Sequence, residues 1–302
     1  MLAGLLLVAG MLIAAAPASA RPSAPSELIL PGAAFFPESI TTGPGGSLFV
    51  SSLVTGEIVR FAPGSSAPDT FVAAGVNLGT AGVMADPDRN VLWACAVDLT
   101  FQTTSELRAF DLRTGALEAS YPMPDGGLCA DIALARGDVY VTDTLLGRIL
   151  RLETDGESAA GGTLTVWSDD PRLAGGGFLK INGIAFDGRR TFYTTNYSTG
   201  ELFAVRIGRD GSAEPAVPIQ LDTPMTFPDG IRWRGGYLYV AENASGLTRI
   251  DPSTGTRTLI DGSLDQPTSL AFLGGEIWIT EGQVLRLRTG EPLNLPFKVV
   301  RR

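Results

Sequence analysis

The chain contains no histidine, so its chemistry has to come from 32 Asp and Glu, 23 Lys and Arg, and the amides and hydroxyls. That absence excludes Ser-His-Asp and Cys-His nucleophiles, HExxH zinc sites, histidine haem ligation and an imidazole general base. What remains is carboxylate acid–base work and metal ions held by oxygen. Glu38, Asn182 and Asp229 are the residues best placed for it, because each heads a segment of one recurring pattern, ESITTGPGGSLFV, NGIAFDGRRTFYTT and DGIRWRGGYLYVAE. If those segments converge, two carboxylates and an amide oxygen meet. The carboxylates would repel and desolvate one another unless a cation lay between them. A hard divalent ion with water in its other positions suits that donor set, Ca²⁺ first and Mg²⁺, Mn²⁺ or Zn²⁺ as alternatives. The competing reading is that each side chain only caps the turn into its strand.

The elements that must position these residues come from an internal repeat. Six copies start at Glu38, Ala81, Ala130, Asn182, Asp229 and Thr268, at intervals of 43, 49, 52, 47 and 39 residues. Each reads as a strand, a tight turn (GPGG, DPDRN, RGD, DGRR, RGG, LGG), a second strand rich in β-branched and aromatic residues, a turn and a third strand. The turns carry the Gly, Asp and Asn that positive φ demands. Between copies there is room for a fourth strand, such as Asp69 to Ala73 or Thr163 to Trp167. Four strands per repeat, six times over, predict an all-β, six-bladed β-propeller. The segment Ser26 to Gly32 resembles the fourth strand before each other copy, so the ring is expected to close with the N-terminal strand as the outer strand of the sixth blade. That copy is expected to end near Leu287, with GQVLRL as its third strand. No linker or composition shift divides residues 21–302, which read as one domain.

In this register the first residue of each copy faces a shared channel mouth. A second polar ring lies at the ends of the second strands: Ser52, Asp143, Asn196, Glu242 and Glu281, with Ala96 interrupting it. It is either a polar floor for substrate, with Asp143 and Asn196 the best candidates, or a set of side chains bonding their own turns. The long Gly-rich segment Ser168 to Lys180 and the insertion Asp98 to Ser105, carrying Phe101, are candidate covers for the mouth. Phe35 and Phe36 either wall the mouth or pack between blades. Asn196-Tyr-Ser and Asn243-Ala-Ser match the glycosylation sequon.

Residues 1–20, MLAGLLLVAGMLIAAAPASA, read as a signal peptide cleaved after Ala18-Ser19-Ala20, although no Lys or Arg precedes the apolar run. The mature protein is therefore expected outside the cytoplasm, secreted or periplasmic, with no membrane association after cleavage. Export permits a Cys95–Cys129 disulfide, with two buried thiols as the alternative. A net charge of −9 and no basic cluster argue against a nucleic-acid partner and leave a small molecule as the expected one.

The combination of FPESI at Glu38, INGIAFDG at Asn182 and FPDGIRW at Asp229 on a six-bladed repeat resembles the senescence marker protein/gluconolactonase family, and more distantly the paraoxonases and strictosidine synthase-like propellers. The resemblance covers essentially all of residues 21–302. It implies that Glu38, Asn182 and Asp229 hold one divalent cation, with Asp229 as general base in opening a lactone or related ester. Where that family commonly has Asn at the third-blade entry, this chain has Ala130 followed by Asp131, which would substitute from one position along and touch substrate. A paraoxonase-type histidine dyad is impossible here. The rival readings are a non-catalytic propeller binding a small molecule, peptide or glycan, and a propeller enzyme of another reaction type such as a cyclase or isomerase.

Overall fold

In the computed structural model, which describes residues 25–154 and 161–302, six four-stranded antiparallel sheets are arranged in a ring. The signal peptide expected over residues 1–20 lies outside the described residues. Among the described residues no helix is long and apolar enough to cross a membrane.

The innermost strands are Pro37–Thr42, Gly79–Asp86, Cys129–Ala135, Ile181–Phe186, Pro228–Arg234 and Pro267–Leu273. Each pairs with the strand after it and each shifts register once, between Pro37/Ile40, Thr80/Val83, Cys129/Ile132, Ile181/Ile184, Pro228/Ile231 and Pro267/Leu270. All six copy starts therefore fall inside a β-bulge, a device that breaks the alternation of a strand and re-aims a side chain. Past each bulge the alternation resumes with Ile40, Val83, Ile132, Ile184, Ile231 and Leu270, all essentially without exposure and paired across to Val50, Ala94, Val141, Thr194, Val240 and Ile279. Burying each such aliphatic side chain is worth about 1.5–3 kcal/mol. The blades thus pack through one register position, and that position fixes how deep the bulge sits in the channel.

In four of the six blades the second-strand residue opposite the bulge ties blade to blade. Ser51 Oγ accepts the Ser39 N–H (3.0 Å) and donates to the Ala81 carbonyl of the next blade (2.7 Å). Thr142 Oγ1 likewise accepts the Asp131 N–H (3.1 Å) and donates to the Asn182 carbonyl. Thr280 Oγ1 accepts the Ser269 N–H (2.9 Å) and meets Thr268, whose hydroxyl donates to the Pro37 carbonyl (2.9 Å). In blade two this position is Cys95, disulfide-bonded to Cys129 of blade three with a Cα–Cα distance of 5.2 Å. Of the two readings open for the cysteines, the structure takes the bonded one. The glycines after the mouth residues follow from the same closeness: a Cβ on Gly183 would lie 2.2 Å from the Asp229 carbonyl oxygen of the next blade, and one on Gly82 2.5 Å from that of Ala130.

The ring closes as the sequence predicts, with Glu27–Ile29 as the outermost strand of the sixth blade. The third strand of that blade is a correction. Val284–Thr289, which begins inside the expected strand and runs past its end, is a short α-helix ending at Gly290 (φ 72°), and Lys298–Arg301 is the strand. Leu and Arg are good helix formers, and a left-handed Gly supplies the stop. The β-branched pair Val299-Val300 takes the sheet position instead.

Candidate functional site

At one end of the channel the structure forms a cavity of about 290 Å³. Five of the six copy starts line it: Glu38, Ala81, Ala130, Asn182 and Asp229. Beneath it lies a space of about 10 Å³ shared by Glu38, Asn182 and Asp229 with Asp131, Thr268 and Ser269. That volume admits one water or one monatomic ion. The bulges therefore bring the three candidate ligands to the boundary between the two spaces.

Asp229 is the centre of a hydrogen-bond chain. Asn182 Nδ2 donates to its Oδ1 (2.7 Å) and Asn243 Nδ2 to its Oδ2 (3.0 Å), while Tyr197 Oη donates to Asn243 Oδ1 (2.7 Å). Glu38 differs, since its carboxylate accepts no hydrogen bond from any described residue. Burial and the neighbouring Asp229 and Asp131 push its pKa well above the ordinary carboxylate value, against an opposing pull from Arg232. Burial likewise raises Asp229 to about 7, although the amides of Asn243 and Asn182 favour its charged form. Two desolvated carboxylates, with Asp131 raising both and Asp229 raising Glu38 further, mark a place that favours an added positive charge. Burial, with Asp229 and Glu38 nearby, also raises the Tyr197 hydroxyl far above its usual range.

This donor set fits the hard cation that the motifs imply. Glu38 is unpartnered, Asn182 keeps its amide oxygen free of any described partner, and Asp229 contributes the second carboxylate. Among the described residues no three Asp, Glu or Cys side chains are gathered for a metal, so the Asn182 oxygen would have to be the third protein ligand. Asp131 is not a substitute for an Asn at the mouth. As the second residue of its bulge it points into the lower space, where it accepts from Arg232 (2.8 Å) and from the Ile132 and Ile184 N–H groups.

The substrate contacts expected of Asp143 and Asn196 are also corrected. Neither lines the mouth cavity, and both are fully buried. Asp143 accepts from the N–H groups of Leu128, Leu145 and Leu146 and from Arg148 Nε (2.9 Å). Asn196 accepts from Ser198 and Thr199 and donates to the Gly175 carbonyl (2.8 Å). Ser52, Glu242 and Glu281 do the same for loops ending at Phe35, Thr226 and Asp265. In five of the six blades the second ring therefore ties a loop on the mouth face to its blade, because a buried polar side chain goes where backbone groups need it. The buried amides of Asn196 and Asn243, 0% and 2% exposed, are engaged in these bonds, so neither sequon is accessible in the fold. Phe35 and Phe36 are core residues, Phe36 against Phe297 with ring centroids 4.9 Å apart.

The two candidate covers do meet over the mouth. Phe101 and Phe178 lie edge to face, centroids 5.8 Å apart, and both line the cavity. Phe101 is held in the left-handed region (φ 56°), a conformation that persists only where its surroundings enforce it. The enforcing group is Asp98, whose carboxylate accepts from Thr100, Gln102 and Thr103, the threonine bonds lowering its pKa to about 2. The unexpected helix supplies Val284, Leu287 and Arg288 to the opposite wall. Arg288 sits 5.9 Å from the Tyr197 ring centroid, and its guanidinium has no hydrogen bond to a described residue. Arg288 follows directly on the expected strand and reaches the cavity because the segment is helical.

No protein-family model matches the sequence, and no curated protein matches it closely enough to count. Solved structures do resemble it. A virginiamycin B lyase from Staphylococcus aureus, an inactive His-to-Ala variant with quinupristin, superposes with a TM-score of 0.61 at 17% identity over 84% of this chain and 80% of its own. A luciferin-regenerating enzyme gives 0.61 at 14% identity, and a calcium-binding protein, regucalcin, from Agrobacterium tumefaciens strain C58 gives 0.59 at 18%. Each of these two covers 88% of this chain and 90% of its own. The resemblance read from the motifs thus extends to the architecture: the chain has the six-bladed fold of regucalcin and the luciferin-regenerating enzyme.

Proposed function

We propose that the protein is a divalent-metal-dependent hydrolase that opens a lactone or related ester, exported by its N-terminal signal. The observation that carries the reading is the unpartnered Glu38 carboxylate beside Asp229 and Asn182 at the floor of an otherwise apolar cavity. Glu38, Asn182 and Asp229 would hold the cation, Ca²⁺ being favoured by the all-oxygen donor set and by the likeness to a calcium-binding propeller. When bound, the ion supplies Lewis acidity toward a carbonyl and lowers the pKa of water. Asp229 takes the proton of the attacking water on a carboxylate oxygen. Asn182 and Asn243 fix the plane of that carboxylate, and Tyr197 fixes Asn243 in turn. Phe101 and Phe178 limit the entry of bulk water, which strengthens the electrostatics below them. The histidine-dependent chemistry implied by the inactive lyase variant has no counterpart in a chain without histidine.

One observation favours a second reading, non-catalytic binding of a small molecule. Both Asp229 oxygens already accept amide hydrogens, which suits a positioned ligand better than a proton acceptor. Metal analysis of the purified protein, followed by a lactone panel with and without chelator, separates the two. Chelator-sensitive turnover that falls by about 10²–10⁴-fold in Asp229→Asn fits the hydrolase. Bound metal with no turnover across the panel fits the binder, and turnover intact in Asp229→Asn would remove Asp229 from the mechanism.

A further inference from the structure

The walls of the mouth cavity carry information about the ligand that the metal ligands do not. A polyhydroxylated ring entering the cavity would surrender its water and need polar partners on several sides. The side chains able to supply them are few. Tyr197 and Asp229 are already bonded within the protein, and Thr144 Oγ1 is buried without reaching the cavity surface. Glu38, the Asn182 oxygen and Arg288 are left, and the first two belong to the proposed cation. The remainder of the wall is hydrocarbon, with Leu53, Val97, Leu128 and Leu179 deep and Phe101 and Phe178 above.

This apolar surface also continues outward. The chain direction places the turns after the second strands and the loops before the first strands on the mouth face. Among the described residues, nine of the sixteen exposed large hydrophobics lie in those connections, among them Val76, Leu78, Leu99, Leu146, Phe227 and Leu295. Of these sixteen described residues the opposite face carries Tyr237 alone, and the others lie on outermost strands. Arg288 stands at the edge of the cavity as the one basic side chain lining it, without an ion pair to any described residue.

We infer that the mouth takes an amphipathic acyl compound, a lactone or ester bearing a hydrocarbon chain, rather than a sugar lactone. The chain lies between the leucine wall and the Phe101–Phe178 pair, the carbonyl end faces Glu38 and Asp229, and Arg288 receives a carboxylate or another anionic group. This rests on the hydrolase reading for the word substrate but not for the chemistry of the ligand.

Two measurements test it. The first compares kcat/KM for γ-lactones with alkyl substituents of increasing length and for an aldonolactone, in the full protein supplied with Ca²⁺. The expected result is a rise of roughly three- to fourfold per added methylene until the chain outgrows the cavity, with the aldonolactone slowest and the slope flattened in Phe101→Ser/Phe178→Ser. The second is calorimetric binding of decanoate against gluconate, which requires no turnover. Decanoate is expected to bind and gluconate not, with decanoate weakened several-fold in Arg288→Gln. Preference for the aldonolactone, or gluconate binding as well as decanoate, overturns the inference and leaves the hydrolase intact. Decanoate binding with no lactone turned over supports the inference and removes the hydrolase. Absence of both overturns the inference.

Discussion

Blades one to four and blades four to six are joined differently. From blade one to two the joint is the Ser51 hydroxyl on the Ala81 carbonyl, from two to three the Cys95–Cys129 disulfide, and from three to four the Thr142 hydroxyl on the Asn182 carbonyl. The equivalent residue of blade four, Thr195, has a buried Oγ1 without a partner, and that of blade five is Ala241. There the joints are made by the site itself: Asn182 donates to Asp229 across one junction, and Asn243, which donates to Asp229 of its own blade, also donates to the Pro267 carbonyl across the next. The same bulge recurs all round the ring, yet the dedicated scaffold bonds stop where chemistry-bearing side chains span the gap. One geometry therefore serves as structure on one side and as a site on the other.

The largest effect that would sharpen this comparison is on the cation. Glu38→Ala removes a direct ligand and is expected to weaken Ca²⁺ binding by more than the roughly 10–100-fold typical of losing an outer partner. Titration calorimetry reads it, and unchanged affinity would dissolve the three-ligand site. On the scaffold side, Cys95→Ala/Cys129→Ala opens a 34-residue link and is expected to cost about 3–4 kcal/mol in chemical denaturation. Next come the two threonines. Thr142→Val strands the Asp131 N–H and the Asn182 carbonyl and should cost about 1–3 kcal/mol, whereas Thr195→Val removes a hydroxyl with no partner and should be neutral or stabilising. Equal costs at the two positions would break the comparison. Asn196→Ala is expected to lower stability by about 1 kcal/mol while leaving KM unchanged, since its amide serves Ser198, Thr199 and Gly175. The smallest effect is one of pH. The Asp98 pKa is depressed to about 2, so the order it imposes on its loop is complete above the unfolded value of 3.8 and lost as pH falls through about 2. Faster amide exchange at Thr100, Gln102 and Thr103 across that window would register it.

The repeat made the ring legible. Strand-turn-strand units headed by a polar or small residue place the five copy starts that line the mouth, and the Asn-Gly and Asp-Gly pairs mark where the next blade's backbone comes close. What stayed hidden were relations between distant segments. Cysteine spacing says nothing of geometry, so the disulfide had two readings. Phe101 and Phe178 sit on separate loops, and only the closed ring brings them together. Arg288 was masked because an apolar stretch such as VLRL satisfies a short strand or a short helix equally well. Asp143 and Asn196 had the right register for a substrate floor, but loop amides outcompeted the channel for their oxygens.

The sixth blade has a kinetic consequence. Its outer and third strands come from opposite ends of the chain, with Glu27 paired to Val300 and bonded to Lys298, 271 positions apart in sequence. Such a contact carries a loop-closure cost that nearer pairings do not share. Blades one to five can each assemble from contiguous chain, but the sixth blade is complete only when its two ends meet. Closure is therefore expected to be the slow, final step of folding. Until then the sixth blade exposes an unpaired strand edge, the kind of surface that recruits other chains.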